Sequence, residues 1–197
     1  MDKLQSPKLA PPGAGLPWLE NFFLKYFYFP NKLRQSSWAG NLNRFSRESE
    51  KIIHVCQKMN EQDFQTRILI PRLKGMEDSS RFWSVALTVD HLMITMRGMS
   101  MIALELGAGK TVDVNTDVAK VKPKQENVSG RDQMMKQFRE ISDEVVGKLK
   151  ALEKNHSNKN RVMHPWFGQI TCEGWVWVLA QHQAIHRKQI QLIMERL

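Results

Sequence analysis

Residues 171–197 read TCEGWVWVLAQHQAIHRKQIQLIMERL, and this stretch decides the fold. Its apolar positions recur every three or four residues, as on one face of an α-helix: Trp175, Val178, Leu179, Ile185, Ile190 and Ile193. Thr171 is a suitable N-cap, and Glu173 places negative charge in the first turn, where the helix dipole favours it. The stretch therefore predicts one long amphipathic helix.

Two histidines lie on one side of this predicted helix. His182 and His186 are four residues apart, so both imidazoles project from the same side, about one turn apart. Such a pair can place two nitrogens on one metal ion. The alternative is that both rings bond to buried polar groups, and the pair by itself favours that alternative.

Three further helices precede this one. Apolar spacing predicts them over residues 47–69, ended by Pro71, over residues 80–106, capped by Ser79 or Ser80, and over residues 129–154. The inner face of the third consists of Met134, Met135, Phe138, Ile141, Val145 and Leu149. The connection over residues 107–129 is long and polar, which between two helices indicates a crossover along the bundle. We predict an all-α four-helix bundle with a long crossover between helices two and three.

An N-terminal extension precedes the bundle. Residues 1–17 are rich in proline and glycine, and we expect them to be disordered or loosely attached. An aromatic cluster follows and ends at Pro30: Trp18, Phe22, Phe23, Tyr26, Phe27, Tyr28 and Phe29. We expect its burial against the core, in preference to a dimer contact or a membrane-surface element, which would need more flanking Lys and Arg. The chain thus divides into a partly disordered extension, residues 1–45, and a bundle, residues 46–197.

The composition is that of a globular protein. The 197 residues are 42% hydrophobic and 25% charged, and no apolar run reaches the ~18 residues of a membrane helix. A net charge of +9 raises the question of nucleic-acid binding, but the basic residues are spread along the chain without a recognition motif. Two distant cysteines, Cys56 and Cys172, indicate reduced thiols and a cytoplasmic location. We expect neither a nucleic-acid nor a membrane partner.

A third histidine lies at the same predicted depth as the pair. If helices two and four are antiparallel, the end of helix two lies level with the start of helix four. At ~1.5 Å per residue, His91 is roughly 22 Å before Leu106, while His182 and His186 are roughly 16 and 22 Å after Thr171. Three neutral imidazoles leave a divalent ion with an open position, the pattern of a catalytic site. Zinc, nickel, iron, manganese and copper all suit such ligands.

The remaining candidates receive lesser roles. Asp90 and Gln189 are candidates to support the ligands, although Asp90 points away from the stripe of His91 and is expected to be solvated. His164 is expected to be structural, at the start of helix four, and His54 and His156 are expected to be exposed. A thiolate at Cys172 would be favoured by the helix start.

The chain resembles the DinB/YfiT-like superfamily of metal-dependent enzymes. The resemblance covers roughly residues 47–197 and rests on FWSVALTVDHL in helix two and on HPWFGQITCEGWVWVLAQHQAIHRKQI at the end of the chain. It implies a four-helix bundle with a crossover, a homodimer, and a metal held by His91, His182 and His186. Some members of that superfamily are thiol S-transferases or isomerases, and others are hydrolase-like.

Two functions from different classes follow. The leading hypothesis is a metal-dependent transferase or hydrolase that uses a low-molecular-weight thiol or a metal-activated water on a small molecule. The alternative is a non-enzymatic, metal-bearing module that captures a small ligand. A purely structural bundle with histidines buried for packing is the third hypothesis, and it predicts no metal at all.

Overall fold

The computed structural model describes residues 7–113 and 117–197, and it is mainly helical. The helices are α1 (Trp18–Phe23), α2 (Phe29–Arg34), α3 (Trp38–Cys56), α4 (Glu61–Gln65), α5 (Val85–Gly107), α6 (Arg131–Leu152) and α7 (Cys172–Met194). A π-helical turn, Leu24–Tyr28, joins α1 to α2. Short 3₁₀ turns occupy Asp78–Ser80, Val118–Val121 and Gln125–Asn127. The predicted all-α class is confirmed, with α3, α5, α6 and α7 as the four bundle helices.

Two short antiparallel hairpins lie between the helices. Strand β1 (Ile68–Leu69) pairs with β2 (Phe82–Trp83), so that Ile68 lies opposite Trp83. Strand β3 (Val162–His164) pairs with β4 (Gly168–Ile170), so that His164 lies opposite Gly168. Gly168 has a φ of 75°, a conformation that glycine adopts without steric cost at the end of this tight connection. Each hairpin leads directly into a helix that carries histidines of the candidate site.

Contacts between α5 and α7 show that these two helices run antiparallel. The Sγ of Cys172, at the start of α7, donates to the carbonyl of Ala103 near the end of α5, at 3.0 Å. At the other end, the Nε2 of Gln189 donates to the carbonyl of Ser80, just before α5, at 2.8 Å. The antiparallel arrangement that the depth estimate assumed is therefore present.

The segment between α5 and α6 runs back along the bundle. The end of α5 at Gly107 lies against Leu152 at the end of α6, and Ser142 in α6 contacts Met96 in α5. Since α5 and α6 are thus parallel, the chain between them must return the length of the bundle, which confirms the predicted crossover. Residues 114–116 of it lie outside the described residues.

The bounds of the first bundle helix differ from the prediction. Helix α3 begins at Trp38 rather than near Arg47, because Ser37 accepts a hydrogen bond from the backbone N–H of Gly40 as its N-cap. It ends at Cys56, and Asn60 caps a separate short helix. The proposed division between residues 45 and 46 stays a prediction, and it falls inside α3.

The start of the second bundle helix was also placed too early. Its N-cap is Ser84, whose hydroxyl accepts from the backbone N–H of Leu87 at 3.1 Å, rather than Ser79 or Ser80. Phe82 and Trp83 are extended because they pair with β1, and that pairing cannot be read from helical spacing. By contrast, the predicted cap of α7 is correct, since Thr171 accepts from the N–H of Gly174. The predicted inner face of α6 is buried in full.

The aromatic cluster is only partly buried, so its predicted burial is wrong for most of its members. Phe29 lies in the core, where it stacks on Phe167 at 4.7 Å and meets Trp177 edge-on at 5.2 Å. Five other rings of the cluster are exposed: Trp18, Phe22, Phe23, Tyr26 and Phe27. Within the described residues, every helix is too short or too polar to cross a lipid bilayer.

Candidate metal centre

Three histidine rings converge between α5 and α7. His91 extends from the second turn of α5, and His182 and His186 extend from the middle of α7. One nitrogen of each ring lies within 4.8 Å of one nitrogen of each other ring, and the Nε2 atoms of His91 and His182 are 3.2 Å apart. The structure thus brings together the three residues that the sequence predicted as metal ligands.

The crossover orients the ring of His91. Its Nδ1 lies 2.7 Å from the carbonyl oxygen of Val121, in the 3₁₀ turn of the crossover. A carbonyl can only accept a hydrogen bond, so Nδ1 carries the proton and donates. The Nε2 atom of neutral His91 therefore keeps its lone pair, and that lone pair faces the other two rings.

Thr95 plays the corresponding part for His182. Its hydroxyl donates to the carbonyl of His91 at 2.8 Å, so the hydroxyl oxygen can accept from Nδ1 of His182, 3.5 Å away. With its proton on Nδ1, His182 keeps the lone pair on Nε2, whereas a proton on Nε2 would be donated to Nε2 of His91, 3.2 Å away. Thr95 lies one turn after His91 on α5 and so belongs to the same helix face.

Gln189 orients the third ring. Its Nε2 donates to the carbonyl of Ser80 at 2.8 Å, which turns its Oε1 toward Nδ1 of His186 at 2.6 Å. His186 therefore donates from Nδ1 and keeps the lone pair on Nε2. In all three histidines the outer nitrogen bonds to a protein oxygen, as in metal-binding histidines generally.

Asp90, the other residue considered for a supporting role, does not contact the histidines in this way. Its carboxylate is buried and bonds to the backbone N–H of Lys124 and to the side chain of Asn127. Burial raises the pKa of the Asp90 carboxyl, and these bonds to the crossover oppose that shift. The prediction of a solvated Asp90 is wrong, because the crossover covers that side of α5.

The spacing of the His91 and His182 nitrogens fits one tetrahedral metal ion. Two ligand nitrogens at zinc–nitrogen distances of ~2.0–2.1 Å and a tetrahedral angle are about 3.3 Å apart. The observed 3.2 Å between His91 Nε2 and His182 Nε2 agrees with that value. When both histidines carry their protons on Nδ1, two lone pairs face each other at this distance, and a cation between them removes their repulsion, so the residues present fit a divalent ion.

Protonation of the three imidazoles does not take the place of that ion, because their pKa values are low. Burial, followed by the neighbouring His186, holds the pKa of His91 well below its ordinary value. Burial, followed by the other two rings of the triad, lowers the pKa of His182 in the same way. Burial lowers the pKa of His186 to about 4, although its bond to Gln189 opposes the shift. At neutral pH the three rings are therefore neutral and available as ligands.

The histidines lie on the wall of a cavity of about 360 Å³. Most of its lining is apolar and comes from the second half of α5, the crossover, the β3–β4 hairpin and α7, including Met99, Ile102, Val118, Trp166, Phe167 and Ile185. The Nζ of Lys122, also on the wall, lies 2.9 Å from the Glu77 carboxylate and 5.4 Å from the centre of the Trp83 ring. The volume and lining are those of a site for a small, largely apolar molecule.

His164 lines the same cavity, although it was expected to be a structural residue at the start of helix four. It belongs to strand β3, and its Nδ1 accepts the backbone N–H groups of Trp166 and Phe167 at 3.2 and 3.4 Å. Its proton is therefore on Nε2. Burial lowers the pKa of His164 to about 3, so the ring is neutral. Helical rise could not place this residue, because the hairpin folds back toward the cavity.

The other candidates are accounted for without catalysis. Cys172 is buried, and burial followed by the adjacent Glu173 raises the pKa of its thiol to about 12, so the thiolate considered from sequence is not favoured. His156 stacks on Trp38 at 4.4 Å and bonds to Glu173, so its predicted exposure is wrong. His54 is exposed, as predicted.

The fold and site together define a helical bundle with a histidine triad beside an apolar cavity. The chain belongs to the DinB family, whose family model matches residues 35–197. None of the curated proteins compared with the chain matches it.

Two solved structures are similar in fold. One, described as "TT2238, a four-helix bundle protein", is 16% identical with a TM-score of 0.49, and the match covers 79% of this chain and 98% of that one. The other is the mycothiol-dependent maleylpyruvate isomerase, 11% identical with a TM-score of 0.50. That match covers 81% of this chain and 63% of the isomerase. At these identities the likeness shows the fold alone.

Proposed function

We propose that His91, His182 and His186 hold one divalent transition metal and that the protein is a metal-dependent transferase or hydrolase acting on a small molecule. The observation that carries this proposal is the convergence of three neutral imidazoles, with one nitrogen of each within 4.8 Å of the others, on the wall of a largely apolar cavity. A packing histidine needs no such agreement among its neighbours. Here oxygens of Val121, Thr95 and Gln189 lie 2.7, 3.5 and 2.6 Å from the three Nδ1 atoms, which favours the tautomers that leave the Nε2 atoms free to bind a metal.

A bound metal would act as a Lewis acid that lowers the pKa of a coordinated thiol or water. The chain supplies the surroundings. Its largely apolar lining accommodates a small, weakly polar substrate, and Nε2–H of His164 is the donor that its backbone partners leave available on the wall. Lys122 is neutralised by Glu77, so this pair adds little net charge to the cavity.

A low-molecular-weight thiol is the co-substrate to test first. The structural neighbour described as mycothiol-dependent supports that choice, since it shows that a protein of this fold uses such a thiol. Most of the surface that the cavity wall exposes is apolar, which favours a compact electrophile over a large charged one. A cytoplasmic location and a homodimer, expected from the cysteines and from the resemblance, remain proposals.

The test is metal content and turnover in protein purified without an affinity tag. We expect about one equivalent of a transition metal, its loss in His182→Ala, and its retention in His54→Ala, which removes an exposed histidine. Metal-loaded protein is then assayed for thiol-dependent conversion of small electrophiles and for hydrolysis. A wild-type protein that takes up neither zinc, nickel, iron nor manganese would contradict the proposal.

The second candidate function is a metal-bearing module that captures a small ligand without converting it. The largely apolar lining favours this candidate, because it suits binding as well as catalysis. The same experiment separates the two. Stoichiometric metal without thiol-dependent or hydrolytic turnover, together with saturable ligand binding that requires the metal, would favour the module.

A further inference from the structure

Helix α1 and the π-helical turn expose a continuous apolar surface. We call it the N-terminal face, and it consists of Trp18, Leu19, Phe22, Phe23, Tyr26 and Phe27. Consecutive members are alternately one and three residues apart, so they lie along a single side of the helix. Each is at least 50% exposed, and Trp18 is 74% exposed. Six large apolar side chains in one exposed row are more than scattered surface residues, and such a patch indicates an interaction site.

The opposite side of the same helix is attached to the protein. Glu20 forms an ion pair with Arg72 and also accepts the backbone N–H of Gly75 at 2.6 Å. The Lys25 side chain lies against Gly168, and Phe29 packs in the core at the end of the turn. These contacts hold the helix in one orientation, so the N-terminal face is presented outward instead of collapsing onto the bundle.

The charged residues in the segment that follows Glu20 are all positive. Residues 21–47 contain no aspartate or glutamate, whereas they contain Lys25, Lys32, Arg34, Arg44 and Arg47. Lys32 and Arg34 are exposed. The acidic residue nearest in sequence, Glu20, is neutralised by Arg72 on the attached side. The segment therefore combines an aromatic surface with an uncompensated positive charge.

One cation adjoins the aromatic rings directly. Arg34 lines the same shallow groove as Phe23, Tyr26 and Phe27. A guanidinium beside aromatic rings suits a phosphate group attached to an apolar tail, because the two parts then meet partners of their own kind. Trp and Tyr rings also prefer the boundary between headgroups and hydrocarbon.

We propose that the N-terminal face docks on the surface of an anionic phospholipid bilayer, with Lys32 and Arg34 at the headgroup phosphates. A second copy of the chain is the weaker candidate, because joining two identical faces would place these cations near their own counterparts without an acidic partner on the segment. The helix would lie in the interface and not span the bilayer. The sequence-based expectation of no membrane partner rested on burial of the aromatic cluster and on the small number of flanking Lys and Arg residues. The proposal departs from it because the cluster is exposed and the cations after it have no acidic residue in the same segment.

The proposal is independent of the metal site. The N-terminal face lies outside residues 35–197, which the family model matches, and it shares no residue with the cavity that holds the triad. Loss of membrane binding would therefore leave metal content unchanged, and the two proposals can fail separately.

The test is co-sedimentation of the full chain with vesicles of phosphatidylcholine and phosphatidylglycerol at 3:1, beside vesicles of phosphatidylcholine alone. We expect binding to the anionic vesicles that weakens as salt is raised. The double variant Phe22→Ser/Phe27→Ser should lower the affinity tenfold or more, and Lys32→Glu/Arg34→Glu should abolish the preference for anionic vesicles. Met163→Ser, which removes an exposed apolar side chain elsewhere, should bind as the wild type does.

Three results would overturn the proposal. The first is no binding to either kind of vesicle, or equal binding to both. The second is an equal loss of affinity in Met163→Ser. The third is a lipid-free dimer, measured by sedimentation equilibrium, that Phe22→Ser/Phe27→Ser dissociates, since a second copy would then cover the N-terminal face. All the substitutions change exposed side chains, and the unfolding midpoint of each variant checks that the fold is retained.

Discussion

At the scale of single residues, the site depends on which nitrogen of each imidazole carries the proton. Each Nδ1 atom of the triad lies beside an oxygen of a neighbouring residue. The partners are the backbone oxygen of Val121, the hydroxyl oxygen of Thr95 and the amide oxygen of Gln189. The three Nε2 atoms are left as ligands because of these neighbours, not because of the histidines alone. Removing one neighbour should therefore weaken metal binding without touching a ligand.

Gln189→Leu tests this dependence. The variant keeps the size of the side chain but removes the acceptor for His186 and the donor to Ser80, so we expect metal affinity to fall by roughly 10–100-fold. Competition with a chromogenic chelator measures the affinity. Gln137→Leu, at an exposed position of α6, is the matched control and should bind metal as the wild type does. Equal affinity in the two variants would contradict a role for Gln189.

His164→Asn tests the effect of a buried neutral histidine on stability. The folded-state pKa of His164 is about 3, below the ~6.5 of an unfolded histidine, so the unfolded chain takes up the extra proton as pH falls. The contribution of the neutral His164 ring to the free energy of unfolding is present above pH ~6.5 and is lost as the pH falls from there to about 3. When the pH is lowered from 7 to 5, the free energy of unfolding of the wild type should therefore fall by about 2 kcal/mol more than that of the variant.

The measurement is urea unfolding of metal-free protein at both pH values. Asparagine keeps an acceptor near the position of Nδ1, for the N–H groups of Trp166 and Phe167, while removing the titration. Equal losses in the two proteins would show that the ring of His164 is protonated in the folded state.

At the scale of elements, the ends of three helices meet at Gly107. A Cβ atom there would overlap Cδ2 of Leu152 and would lie 3.0 Å from Sγ of Cys172. Glycine thus permits α5 to approach the end of α6 and the start of α7. This approach brings α5 and α7 together along their length, and the histidines lie farther along the same interface.

Gly107→Ala should destabilise the protein by about 1–3 kcal/mol, because the added methyl group has no space. Gly147→Ala is the matched control, since a Cβ at Gly147 meets nothing within 4 Å and the residue lies inside helix α6. The control should stabilise the protein by about 0.5–1 kcal/mol through lower backbone entropy in the unfolded chain. Urea unfolding compares the two, and equal effects would refute the close contact at Gly107.

At the scale of the whole molecule, the candidate metal centre links parts of the chain that are distant in sequence. His91 comes from α5, His182 and His186 come from α7, and the bond to His91 comes from the crossover. An ion that the three histidines hold together can be bound only when the protein is folded. Its binding free energy is therefore added to the free energy of unfolding.

Zinc should raise the thermal midpoint of the metal-free protein. At a free concentration of 100 times the dissociation constant, the gain is about 2.7 kcal/mol, which corresponds to about 5–10 °C for a domain of this size. Differential scanning fluorimetry measures the shift. His182→Ala should lose it, and His54→Ala should keep it. A shift that survives in His182→Ala would place the ion elsewhere.

The sequence by itself determined the helical class, the crossover and the identity of the three histidines. Helical periodicity is a local property, so Trp175, Val178 and the His182–His186 spacing reveal the inner face of α7 without any tertiary information. The depth of His91 followed from helical rise and one assumption about direction. Thr95, one turn after His91, could also have been found from spacing.

Only the tertiary structure decided what lies against these elements. The carbonyl of Val121 reaches His91 through the crossover, and the fold of the β3–β4 hairpin brings His164 to the cavity. Local periodicity predicts neither contact, because each joins residues that are far apart in the chain. The same holds for the aromatic cluster. Composition predicts that aromatic rings prefer burial. Whether Phe22 and Phe27 are buried depends on which side of the helix faces the bundle, and the contacts of Glu20 and Phe29 determine that side.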